Sequence, residues 1–117
     1  MEERQALSAF AALSQETRLR IVRLLVQAGP AGMPAGAVAE AAGVSASNVS
    51  FHLKELTQAG LASAKREARS IVYTADYDAL SGLIQFLMRD CCAGHPDICM
   101  PATASACTLD GKELSRA

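Results

Sequence analysis

The segment Ser45-Ala46-Ser47-Asn48-Val49-Ser50-Phe51-His52-Leu53-Lys54-Glu55-Leu56 decides how this 117-residue chain folds. On a helix, at about 100° per residue, Val49, Leu53 and Leu56 fall within about 60° of one another and face a core. Ser47, Phe51 and Lys54, with Gln58 beyond them, point the opposite way, and Asn48 and Ser50 lie on the two flanks. Ser45 suits the N-cap, because its hydroxyl can accept a hydrogen bond from a free amide of the first turn.

Toward the N-terminus, Gly43-Val44 separates this helix from a shorter one over about 35–42. Pro34 fits the first turn of that shorter helix and Gly43 the left-handed residue that ends it. Two helices joined by a Gly-containing turn, the second opening at a capped Ser, form a helix-turn-helix pattern. Toward the C-terminus, Gly60 closes the long helix, and residues 61–66 and 70–75 read as strands joined by Glu67-Ala68-Arg69. The second strand holds the β-branched run Ile71-Val72-Tyr73-Thr74, so the pair predicts a hairpin, or wing. A last helix over 77–91 has an apolar stripe of Tyr77, Leu80, Ile84, Leu87, Met88 and Cys91.

Before the helix-turn-helix, residues 2–12 predict a first helix with Leu7, Phe10 and Ala11 on one side. Ser14 is the expected cap of a second helix, with Glu16 in its first turn, that runs through Leu19, Val22, Leu25 and Val26 to Gly29-Pro30. Pro30 to Pro34 reads as a linker. The expected fold class is mainly α with a small β-hairpin, in the order α-α-α-α-β-β-α, over residues 1–92. From 93 to 117 the chain turns to Pro, Ala, Thr, Ser and Gly and reads as a flexible tail.

Composition limits what such a domain does. At 12.2 kDa, with 50% hydrophobic residues but only two Tyr, three Phe and no Trp, the chain allows one core built from Ala, Val, Leu and Ile. A formal net charge of −1 excludes a general polycation, so nucleic-acid binding must come from a local face. On the long helix, Ser47, Asn48 and Ser50 are of the type that reaches base edges and phosphates, and Lys54 can neutralise a phosphate. Phe51 is the oddity of that face: an outward aromatic costs solvation unless something covers it, and a thymine methyl is one such cover. The wing adds Lys65, Arg66 and Arg69 within five residues, placed to track a phosphate backbone. His52, on the core side of the helix, reads as a structural residue hydrogen-bonded at the edge of the packing. Arg18, Arg20 and Arg23 read as surface or intramolecular ion pairs. These features predict a double-stranded DNA partner and not an enzyme, since neither a Ser/His/Asp-type constellation nor a Gly-rich phosphate loop is present. Without an apolar run of about 18 residues, and with acids at the N-terminus, the expectation is a cytoplasmic protein with no membrane partner and reduced thiols.

All four cysteines, Cys91, Cys92, Cys99 and Cys107, fall in the last quarter of the chain. Trivalent arsenic is soft and binds three thiolates in a pyramid, so Cys91, Cys92 and Cys99 have the right number and type of donors, and antimony is its near equivalent. Gly94 and Pro96 loosen the helix end enough for adjacent cysteines to turn toward one ion. A soft divalent metal such as zinc, cadmium or lead is an alternative, with His95 or Cys107 available as a fourth ligand for zinc or cadmium. A thiol redox or persulfide switch is another, because Cys92 and Cys99 can close a loop. Cys107 otherwise reads as a spectator.

The chain resembles the ArsR/SmtB family of winged-helix metalloregulatory repressors over about residues 5–92. The resemblance rests on Ala12-Leu13-Ser14-Gln15-Glu16-Thr17-Arg18-Leu19-Arg20-Ile21 and on Ser45 to Leu56, followed by Gly60-Leu61 leading into the wing. It implies a homodimer paired through the first and last helices, bound to a two-fold operator and released by an inducer. It also implies DNA contacts from Ser47, Ser50 and the next outward position, often His or Arg in the family and here Phe51. The third helix has no Cys and the last helix no His, so the ligand sets of some members are missing. Cys91-Cys92 followed by Cys99 is similar to arsenic-responsive members, which implies As(III) as inducer.

Overall fold

The computed structural model describes residues 1–89. Helix α1 spans Glu3–Leu13 and buries Ala6, Ala9 and Ala12, small side chains at intervals of three that let neighbouring helices approach closely. Its larger residues Leu7 and Phe10 are left exposed. Helix α2, Glu16–Ala28, buries Ile21, Val22 and Leu25. Its N-cap is Gln15 and not the expected Ser14: the Gln15 side chain accepts from the Arg18 amide at 2.8 Å. The Ser14 hydroxyl instead donates to the Ala11 carbonyl at 2.9 Å, closing α1. With only two residues between the helices, the first must end α1 and only the second can take the extended backbone of a cap.

Gly29 ends α2, and a single 3-10 turn over Gly29–Ala31 leads to Gly32 and a two-residue strand, β1, Met33–Pro34. The expected linker therefore contributes to the sheet, whose order is β1-β3-β2, all antiparallel. Pro34 is the N-cap of α3 (Ala35–Ala42), one position before the first turn in which it was expected, and Gly43 takes the left-handed conformation at φ 73°. Helix α4 covers Ala46–Gln58. Strands β2 (Ala62–Glu67) and β3 (Ser70–Ala75) pair from Ala62 with Ala75 to Glu67 with Ser70, which leaves a two-residue turn, Ala68-Arg69, where three residues were expected. Residue 61, read as strand, is instead the fully buried Leu61 that leads into it.

Helix α5 spans Tyr77–Met88, ending earlier than the expected 91, with Arg89 in extended backbone as its C-cap. Apolar residues cover more of this helix than one contact can bury. Leu83 enters the core with Leu80 and Phe86 packed beside it, a set that only partly overlaps the expected stripe. Tyr77 and Leu87 stay exposed. The core joins Ala6, Ala9 and Ala12 to Ile21, Leu25, Val38, Val49, Leu53, Leu56, Leu61 and Leu83, so the helix-turn-helix is held against α1, α2 and the base of the wing. No described helix is long and apolar enough to cross a membrane. The boundary at 92/93, Cys91, Cys92, Cys99, Cys107 and His95 lie outside the described residues.

Candidate nucleic-acid interface

The turn between α3 and α4 is fixed by backbone bonds. The Gly43 amide reaches the carbonyls of Ala39 and Glu40, and the Val44 amide that of Ala39 at 3.1 Å. The Ser45 hydroxyl then accepts from the Asn48 amide at 3.2 Å, which sets the first turn of α4 as its sequence predicts. Val49, Leu53 and Leu56 are buried, and this rotation turns Ser47, Phe51, Lys54 and Gln58 to solvent, with Asn48 and Ser50 exposed on the two flanks. The Ser47 hydroxyl lies 3.3 Å from that of Ser45 at the helix start, where free amides and the helix dipole favour an anion such as a phosphate. Phe51 is 55% exposed, and its ring packs edge-to-face with that of His52, centroids 5.4 Å apart at 65°.

His52 lies between α4 and the first two helices. Its Nδ1 stands 3.3 Å from the Arg18 guanidinium, whose Nε donates to the Ala12 carbonyl at 2.8 Å. Arg18 thus satisfies a carbonyl in the last turn of α1 while reaching the recognition helix, and is not the ion pair expected from its sequence. Arg20 does pair with Glu16, at 3.0 Å, and also donates to the Ala42 carbonyl at the end of α3. Burial disfavours a second proton on His52 and Arg18 adds to this, so its pKa falls below the ordinary 6.5 although Glu55 pulls the other way. A neutral ring with Nδ1 as acceptor fits the bond from Arg18.

The wing presents its cations on different sides. Lys65 and Glu67 share a face of β2 and approach at 3.8 Å, whereas Arg66 alternates to the face of Ala62 and Ala64. Arg69 occupies the two-residue turn. The acid next to the cations is visible in the sequence; its sharing a face with Lys65 follows from β2 running on to Glu67, two residues along the same strand. No local pattern in the sequence marks Arg18 as a positioning residue, because its partners Ala12 and His52 lie 6 and 34 positions away. Among the described residues no group of three His, Cys, Asp or Glu is placed to hold a metal.

Residues 13–63, from the end of α1 into β2, match the model of a helix-turn-helix domain. The chain is 33% identical over 88 residues to the HTH-type transcriptional regulator YgaV of Escherichia coli K12, spanning 75% of this chain and 87% of that protein. An ArsR-like transcriptional regulator from Rhodococcus sp. RHA1 superimposes with a TM-score of 0.67 at 27% identity, covering 94% of this chain and 95% of the other. The homodimeric winged helix-turn-helix DNA-binding domain of a Mycobacterium bovis protein, described as a possible ArsR-family regulator, gives 0.60 at 28% identity over 81% and 94% of the two chains. A structure described as a possible transcriptional regulator for arsenical resistance gives 0.57 at 29%, over 66% and 77%. With the helix-turn-helix, the wing and these likenesses together, the chain belongs to the ArsR-like family of winged helix-turn-helix transcriptional regulators.

Proposed function

We propose that this regulator is a homodimeric repressor that covers a two-fold operator and leaves it when trivalent arsenic binds Cys91, Cys92 and Cys99. The observation that carries the inducer is the donor set itself: three thiols within nine residues, just beyond the end of α5 at Met88. Three soft donors match arsenite and antimonite and fall one short of the usual tetrahedral zinc site. The likeness to a structure described for arsenical resistance points the same way.

Support for the dimer comes from α1 and α5, which lie against each other and expose Leu7, Phe10, Tyr77 and Leu87. A second copy is the natural cover for such a face, and the Mycobacterium bovis relative is homodimeric. Ligands that bind just past α5 act on that interface, and a coupling of about 1–3 kcal/mol lowers operator affinity by roughly 5–150-fold. The experiment titrates arsenite into a complex with a duplex selected from a random-sequence pool. Arsenite releases the wild type and not Cys92→Ser. Release of both equally, or of neither, refutes the arsenic site, and release by peroxide but not arsenite assigns the thiols to redox sensing.

A further inference from the structure

Phe51 differs in kind from every other side chain on the outward face of α4. Ser47 and Ser50 can donate or accept and so tolerate either base-pair edge, while Lys54 carries charge suited to a phosphate. Phe51 has no hydrogen-bonding group, is 55% exposed, and stands clear of the core. It is also held in place: its ring packs edge-to-face with that of His52, which is tethered through Arg18 to the Ala12 carbonyl of α1. A braced apolar group on this face offers nothing to guanine N7 or O6 or to the exocyclic amines. The one apolar group on a base edge in the major groove is the methyl on C5 of thymine. Cytosine methylated at C5 presents that methyl from the same ring position.

We propose that Phe51 is a specificity-determining residue that reads a pyrimidine C5-methyl, on thymine or 5-methylcytosine, in the major groove. This rests on the reading of α4 as the DNA-recognition helix. The regulator therefore distinguishes thymine from uracil, and methylated from unmethylated cytosine, at one position of each half-site.

The test begins with the full-length protein selecting duplexes from a random-sequence pool. Each thymine of an enriched site is then replaced singly by deoxyuridine, which removes the methyl and leaves every hydrogen-bonding edge intact. At one position per half-site the substitution weakens wild-type binding about four-fold, the factor for losing a buried methyl-sized group. Phe51→Ala, at an exposed position, keeps its fold, binds the thymine duplex about four-fold more weakly than the wild type does, and no longer separates the thymine and uracil duplexes. Placing 5-methylcytosine rather than cytosine at that position, opposite guanine, restores the wild-type preference. If no thymine is sensitive, or Phe51→Ala shows the same sensitivity, the inference is wrong although DNA binding stands. If the wild type enriches no site, the recognition-helix reading fails and this inference with it.

Discussion

Two glycines three residues apart isolate what docks the wing to the helices. Gly29 and Gly32 have nearly the same backbone, φ 80° and ψ −169° against φ 72° and ψ −168°, in a region that only glycine occupies readily. Alanine at either position costs about 1–3 kcal/mol in backbone strain. At Gly29 a Cβ meets nothing within 4 Å. At Gly32 it would stand 2.5 Å from the Tyr73 carbonyl oxygen, 2.7 Å from Thr74 Cγ2 and 2.8 Å from Val72 Cγ1. The carbonyl belongs to the central strand, which pairs with β1 through Met33–Tyr73 and with β2 along its length, so it cannot retreat without opening a ladder. Overpacking of this kind adds about 1–3 kcal/mol. Gly32→Ala therefore melts below Gly29→Ala by roughly 5–20 °C, at about 4–8 °C per kcal/mol for a small domain. Thermal denaturation followed by circular dichroism reads the difference, with Gly36→Ala as a control. Gly36 lies in α3 with nothing within 4 Å of its Cβ position, and alanine there raises stability by about 0.4–1 kcal/mol. Equal melting temperatures for Gly29→Ala and Gly32→Ala would refute the claim that the close approach to β3 matters.

Ala68 holds φ 56° in the wing turn, so Ala68→Gly relieves left-handed strain and raises the melting temperature by roughly 5 °C, for a net gain near 1 kcal/mol. The lowered pKa of His52 means that the folded state takes up a proton less readily than the unfolded chain. Its contribution to stability is thus complete above the ordinary 6.5 and declines as pH falls through that value toward the folded pKa. Melting temperatures between about pH 5 and pH 8 show this acid loss. His52→Gln flattens it. Leu87→Glu, at a side chain 53% exposed, leaves the fold intact but yields monomers by light scattering and weakens operator binding. A stable dimer of that variant would place the interface elsewhere.

Most of the architecture was legible in local signals. Ser45 as a cap, Gly43 and Gly60 as stops, and the spacing of Val49, Leu53 and Leu56 each act within a turn or two of helix, so sequence alone placed α3, α4 and the hairpin. The outward set Ser47, Phe51, Lys54 and Gln58, flanked by Asn48 and Ser50, followed from the same rotation. Errors arose where two local solutions compete. Ser14 and Gln15 can both cap α2, and the choice fell to the residue that α1 did not use for its own closure.

Sequence by itself determined the order of the five helices and the hairpin, the exposed face of the recognition helix and the confinement of all cysteines to the last quarter. Tertiary structure decided which edge of α5 is buried, because its apolar residues span two faces and only contact with the core selects Leu83. It also turned a linker into β1 and linked Arg18 to His52 over 34 positions. Periodicity and capping act through neighbours in the chain, whereas these outcomes depend on groups that meet only after the helices and the wing have packed together.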